Sequence, residues 1–310
     1  VLLQEFARGT EFIVNTMSCR GRHMVTDIWR YDKIAVGSKG NAYNYAALVR
    51  TPNETEKSLA AYTLEVLDAL GFEYGPSHTE LMLTARGPRL IETAARPMGG
   101  FFPPDLMRGI FGFDHAELSL ACLLDIEKFE SFAAKPYAPA MSALLKIVVS
   151  KSSRPVEKLY YENIVAEAPV VKRWEFDLVK RTGSVLETVD LETAAGEVFA
   201  ASANPEAVWL AYESMRRLEL ECEGWLFSQD EKTMTTPIMH AVGDVPFTEH
   251  LCMPWSDVIR HAASFSRNAP AATSLMIETD TLSYEEATVF ASLLGLFGWK
   301  QIEYGSFLKL

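Results

Sequence analysis

The chain has 310 residues, 48% apolar and 23% charged, with 18 Gly and 15 Pro, which excludes collagen-like, low-complexity and disordered chains and suits a core-forming chain of about two domains. No apolar run reaches the ~18 residues that a membrane-spanning helix needs, and no basic flank precedes an apolar stretch at the start, so a cytoplasmic protein with no membrane partner is expected. The net charge of −12 argues against nucleic acid and anionic lipid surfaces, which are bound through Lys/Arg excess, yet a local basic pocket for ATP remains compatible with it.

In chain order, Val1 to Phe6 is strand-like. Glu11 to Arg30 alternates apolar and polar residues on both sides of Cys19-Arg20-Gly21-Arg22, the pattern of a hairpin, and residues 34 to 50 read as loop. Asn53 with Glu56 three positions on is a capping-box signal, and Leu59, Tyr62, Val66, Leu67 and Leu70 then recur at helical spacing until Gly71. A second hairpin is predicted over His78 to Arg96, then a helix entered through Pro103-Pro104-Asp105 and another from Asp114 to Leu124. Lys135-Pro136 and Pro139 mark a linker, strand-rich sequence runs from Met141 to about Glu187, and Asn204-Pro205 opens a helix to about Glu221. The end reads as strand (Ser274 to Thr279), helix (capped by Ser283 and Glu286, stopped near Gly298) and strand (Gln301 to Lys309), a small β-α-β tail of unassigned role. The cysteines, Cys19, Cys122, Cys222 and Cys252, are scattered singly and read as packed thiols.

The chemistry concentrates in His78 to Gly100. A three-residue loop Ala85-Arg86-Gly87, with glycine in the left-handed position, would pair Thr84 with Pro88 and place Glu80 opposite Glu92. Like charges across a sheet call for a cation, and two hard oxygen ligands suit Mg²⁺, with Mn²⁺ as the substitute. The two-residue period carries Arg96 to the Glu92 face, and Gly99-Gly100 ahead of a helix entrance reads as an anion nest. The bland alternative is a solvated hairpin face. Asp27, Trp29, Arg30, Tyr31 and Lys33 fit a substrate pocket and a solvated strand equally well, and His78 suits a hydrogen-bonded structural role because Mg²⁺ prefers oxygen.

The run Leu2-Leu3-Gln4-Glu5-Phe6-Ala7, Gly9-Thr10-Glu11, with His78-Thr79-Glu80 and Leu90-Ile91-Glu92-Thr93-Ala94-Ala95-Arg96, resembles the ATP-grasp superfamily of carboxylate–amine ligases, in particular the dipeptide-forming L-amino acid ligases. The resemblance covers roughly Val1 to Leu124, and a second patch, Gly196 to Leu220, is similar to the domain that follows in those ligases. It implies an α+β fold: the C-terminal part of an ATP-grasp domain, an antiparallel sheet with helices (1–134), then a ligase C-terminal α/β domain (135–222) and the tail (223–310). It further implies that Glu5, Phe6 and Ala7 hold adenine, that Glu11 accepts from the ribose hydroxyls, and that Glu80 and Glu92 bind metal. Arg96 would meet the transferring phosphate, and Gly99 and Gly100 the substrate. Many members carry an Asn two residues after the second metal ligand, where this chain has Ala94.

The implied function is ATP-dependent joining of a small carboxylate to an amine, amino acids by class, through an acyl phosphate. The glycine-rich loop and Lys that hold the ATP phosphates in other members are not found, so the chain is expected to be the C-terminal part of a longer enzyme, inactive alone. The alternative is a non-catalytic nucleotide-binding remnant, or a half-enzyme that needs a separate N-terminal chain; a homo-oligomer is a further expected partner arrangement.

Overall fold

A computed structural model describes residues 5–36, 40–100, 102–151, 153–157, 159–221, 233–235, 238–241, 252–254, 274–278, 284–303 and 306–309. Leu2, Leu3, Gln4, Phe101, Cys222 and Ser283, all singled out in the sequence, lie outside the described residues, as does most of 223–273. The chain divides into two compact units, one of Val1–Lys33 with Tyr45–Ser142, the other of Ile34–Asn44 with Ala143–Leu310.

The first unit is an antiparallel sheet covered by helices. β1 (Thr10–Cys19) and β2 (Arg22–Ala35) form the first hairpin, and its two-residue turn holds Arg20 at φ +53° and Gly21 at φ +75°, the left-handed pair that matches strand twist. β3 (Asn41–Leu48) corrects the loop expected over 34–50. Ala42 and Asn44 are as buried as Tyr45 to Leu48, so both strand faces are covered and the two-residue alternation that signals a strand is missing. α1 (Glu54–Ala69) starts at the expected box, with Asn53 Oδ1 accepting from the Thr55 and Glu56 amides while Glu56 accepts from the Asn53 amide. β4 (Gly75–Thr84), β5 (Gly87–Ala94), α2 (Pro104–Phe111), α3 (His115–Leu124) and α4 (Ile126–Ala133) complete the unit, with strands in the order β5-β4-β1-β2-β3. Asp125 both ends α3 and caps α4, which the sequence reading did not separate from α3 and the linker.

Alternation sorts this sheet into two faces. Phe12, Val14, Ile28 and Leu81 pack under Leu59 of α1. The opposite face carries Glu11, Ile13, Asn15, Met17 and Cys19 along β1. Its far end, Met17 and Cys19, is sealed by Phe113, Leu118, Cys122 and Phe129, and its near end is polar. The expected linker is tied to the sheet: the Tyr137 hydroxyl donates to the Val49 carbonyl at 2.6 Å and accepts from the Ile28 amide at 3.3 Å.

In the second unit, β6 (Ser142–Val148), β10 (Gly196–Ser202) and β8 (Val171–Glu175) lie side by side in that order. The strand-rich reading of 141–187 is corrected by α5 (Tyr160–Glu167) and α6 (Asp177–Thr182), set beside the two-residue pairing of β7 (Arg154–Pro155) with β9 (Ser184–Val185). α7 (Pro205–Glu221) begins where expected, Asn204 Oδ1 accepting from the Glu206 amide at 3.0 Å. β11 (Thr233–Thr235) pairs with β13 (Cys252–Pro254); β12 (Ile238–Ala241), β14 (Ser274–Glu278), β16 (Ser306–Lys309) and β15 (Trp299–Glu303) form a four-stranded antiparallel sheet. α8 (Tyr284–Leu296) precedes β15, so the single strand expected over Gln301 to Lys309 is instead a hairpin arm and its partner.

Beneath α7 lies a buried charge cluster. Lys146 Nζ is 2.7 Å from Glu219 Oε1, both side chains at most 1% exposed, and Arg216 reaches the other Glu219 oxygen at 2.8 Å. The Val149 amide donates to the same carboxylate at 3.1 Å. Every lone pair that burial strips of water is thereby answered, as a buried ion pair requires.

Candidate functional site

Glu80 stands opposite Glu92 across β4 and β5, as expected, but by a different route. Thr84 pairs with Gly87, not Pro88, and the register stays one residue short through Leu81↔Leu90. A bulge at Ile91 then takes up one residue and restores Glu80↔Glu92. Gly87 has the expected left-handed backbone, φ +91°.

Glu80 is half-buried and Glu92 exposed. The His78 ring, Nε2 at 3.3 Å from Oε1, lowers the Glu80 pKa; burial opposes this, and the charges of His78, Lys33 and Arg96 add to the lowering. Glu80 is therefore held as a carboxylate, the form a hard cation binds. Among the described residues no cluster of three or more His, Cys, Asp or Glu is placed to hold a metal ion. Two opposed carboxylates fit Mg²⁺ when phosphate and water oxygens complete the shell, because this ion commonly keeps several waters and only one or two protein carboxylates.

The strand rule does not extend to Arg96. β5 ends at Ala94, and Arg96 lies in the following bend, its amide bonded to the Ala94 carbonyl at 2.9 Å and its guanidinium to the Pro97 carbonyl at 2.9 Å. Its charge still reaches Glu80. Gly99 and Gly100 follow, Gly100 at φ +92°. The anion nest expected beyond them is poorer in donors than the sequence suggested: Pro103 and Pro104 have no N–H, and Asp105 puts negative charge in the first turn of α2.

Glu5, Phe6 and Ala7 belong to no strand, which corrects the strand-like reading of the first residues where they are described. With Arg8 they form one wall of a cleft of about 520 Å³ whose other wall is Arg86, Arg89, Leu90 and Ile91. Phe6 is 81% exposed into this space and Arg86 pairs with Glu5 at 2.8 Å. The approach of the two walls depends on Gly9, where a Cβ would collide with the Leu83 carbonyl. Glu11, on the polar sheet face, pairs with Lys33 at 2.6 Å.

The residues missed as a group lie behind Glu80. Asp27, fully buried, accepts from Trp29 Nε1 at 2.5 Å, Thr26 Oγ1 at 2.8 Å, His115 Nε2 at 2.8 Å and the Asn15 amide. Asn15 Oδ1 in turn meets His78 Nδ1 at 2.8 Å. Burial would raise the Asp27 pKa, but the charge and hydrogen bond of His115 and the bonds from Asn15 and Thr26 outweigh it, and the net shift is downward. The His115 pKa is pulled down by burial yet raised on balance by Asp27, with Asp114 adding. Trp29 also stacks on Phe102 at 6.5 Å, which decides against a solvated strand at this position.

The α+β architecture and its site face are those of the ATP-grasp superfamily of carboxylate–amine ligases, to which the chain belongs by fold and sequence likeness. No family model matches the chain. Over 224 residues, 71% of this chain and 52% of the relative, it is 27% identical to the dapdiamide A synthase of Enterobacter agglomerans. Over 125 residues, 40% of this chain and 13% of the relative, it is 33% identical to carnosine synthase 1 of Gallus gallus. The crystal structure of L-amino acid ligase from Bacillus licheniformis matches with a TM-score of 0.58 at 22% identity, covering 72% of this chain and 55% of that one. The chain thus spans about half the length of the first of these relatives and of that structure. No helix among the described residues is long and apolar enough to cross a membrane.

Proposed function

We propose that this chain carries the cation-binding part of an enzyme that joins a carboxylate to an amine at the expense of ATP, with amino acids as the substrate class. The observation that carries the reading is the Glu80↔Glu92 register beside a cleft of nucleotide size, lined by three arginines and the apolar Phe6, Leu90 and Ile91. Likeness to a dapdiamide A synthase supports the ligase class.

In this reading Glu5, Phe6 and Ala7 receive the adenine ring, Phe6 and Ile91 providing apolar surface, and Glu11, steadied by Lys33, accepts from the ribose. Glu80 and Glu92 hold Mg²⁺, or Mn²⁺, which supplies the positive charge that neutralises the phosphates. The substrate carboxylate takes the γ-phosphoryl group to give an acyl phosphate, and the amine then displaces phosphate. Arg96 faces the charge that grows on the moving phosphoryl oxygens; its planar fork can grip two of them. Gly99 and Gly100, without side chains, leave room for the acid beside Arg96.

The test is phosphate release from ATP by the full-length protein across pairs of amino acids, with Glu92→Gln as the comparison. Turnover that requires both an acid and an amine, and that is lost in a folded Glu92→Gln, is the expected result. Near-normal turnover in that variant would sink the assignment.

A further inference from the structure

We infer that Asp27 is a positioning residue for the carboxylate of Glu80, acting through Asn15 and His78; the inference rests on the reading of Glu80 and Glu92 as the cation ligands. Donors and acceptors leave one way to wire this chain of groups. An ionised carboxylate only accepts, so Asn15 must turn its NH₂ toward Asp27, which aims its carbonyl oxygen at His78. His78 Nδ1 must then carry the proton it shares with Asn15, and the ring is held with Nε2 facing Glu80 at 3.3 Å. One carboxylate oxygen of Glu80 is fixed on the His78 side, and the other is left for a cation.

Asp27 is itself unsuited to touch a ligand. It is 1% exposed and already accepts from four groups, Asn15, Thr26, Trp29 and His115. Those donors sit on β1, β2 and α3, so the carboxylate is clamped by three separate elements and transmits that rigidity to Asn15. Met98, from the loop ahead of α2, closes over the relay with its sulfur 3.7 Å from the Asn15 amide nitrogen. The relay is buried for its whole length up to Glu80, where the first half-exposed side chain appears. Partners behind a metal ligand orient it, and losing one characteristically weakens metal affinity without removing a ligand.

The experiment uses the full-length protein, wild type, Asp27→Asn and Asn15→Leu. Mn²⁺ is titrated by electron paramagnetic resonance in the presence of ADP, the His78 ring is observed by ¹⁵N-resolved NMR, and thermal melting checks the fold. The expected result is a protonated Nδ1 on His78 in the wild type, its loss in both variants, and Mn²⁺ affinity weaker by about tenfold in both. Should Asp27→Asn fail to fold, Asn15→Leu carries the same test, because Asp27 keeps three of its donors there. Folded variants with wild-type Mn²⁺ affinity, or a wild-type His78 without a proton on Nδ1, would overturn the inference. A wild-type protein that binds no Mn²⁺ at all would overturn the cation reading of Glu80 and Glu92, and this inference with it, while the ring signal still separates the two failures.

Discussion

His115 and Asp27, 88 positions apart in the chain, meet at 2.8 Å between Nε2 and Oδ2, and this contact ties the first turn of α3 to the polar face of the sheet. Both members have pKa values moved toward the charged form, and the signs set a window. His115 is raised, so its contribution is complete below its ordinary 6.5 and is lost as pH rises through the folded value. Asp27 is lowered, so its contribution is complete above its ordinary 3.8 and is lost as pH falls through the folded value. Melting temperature is therefore expected to be best supported by this pair between those two values and to fall above neutrality. In His115→Gln the fall at alkaline pH should flatten; an unchanged slope in that variant would show that another group sets it.

Arg96→Lys keeps the charge and loses the fork. If Arg96 meets charge that develops only as the phosphoryl group moves, kcat should drop roughly 10²-fold while nucleotide affinity stays close to wild type. Steady-state kinetics with nucleotide titration decides it. A collapse of ATP affinity at constant kcat would make Arg96 a ground-state binding residue.

Glu219 holds Lys146, Arg216 and the Val149 amide in a dry setting, so removing its charge strands a buried ammonium. Glu219→Gln should cost about 3–5 kcal/mol in urea unfolding, whereas the pair Lys146→Met with Glu219→Leu should recover most of that loss. A single variant as stable as the wild type would mean that Lys146 finds another partner.

Gly9→Ala places a methyl group against the Leu83 carbonyl and forces the Glu5–Arg8 wall outward. Binding of a fluorescent ATP analogue should weaken by about tenfold or more, the scale of 1–2 kcal/mol that a displaced backbone costs. Unaltered binding would remove the cleft from the nucleotide site.

What could be read from the sequence depended on how local the signal was. The Asn53–Glu56 box and the left-handed Gly87 are short-range patterns, and both are present in the structure. β3 was hidden because its two faces are both covered, and α4 because one aspartate serves two helices. The Glu80↔Glu92 register emerged from a count that erred at the turn and was compensated at Ile91. Asp27, Asn15 and His115 left no pattern at all, since their association is made by the packing of β1, β2 and α3 and not by spacing along any one element.

That compensating residue has a consequence for the lineage of such chains. In a ladder, each residue added or removed between turn and ligand exchanges inside for outside, so the address of a carboxylate is a matter of odd or even count. Deleting Ile91 would bring Glu92 opposite Thr79, on the face that α1 covers, with every side chain of the ligand motif still present in the sequence. Insertions and deletions between Gly87 and Glu92 are thus tolerable only in pairs, and an alignment of relatives that opens a single-residue gap there marks either a lost site or a bulge that has moved.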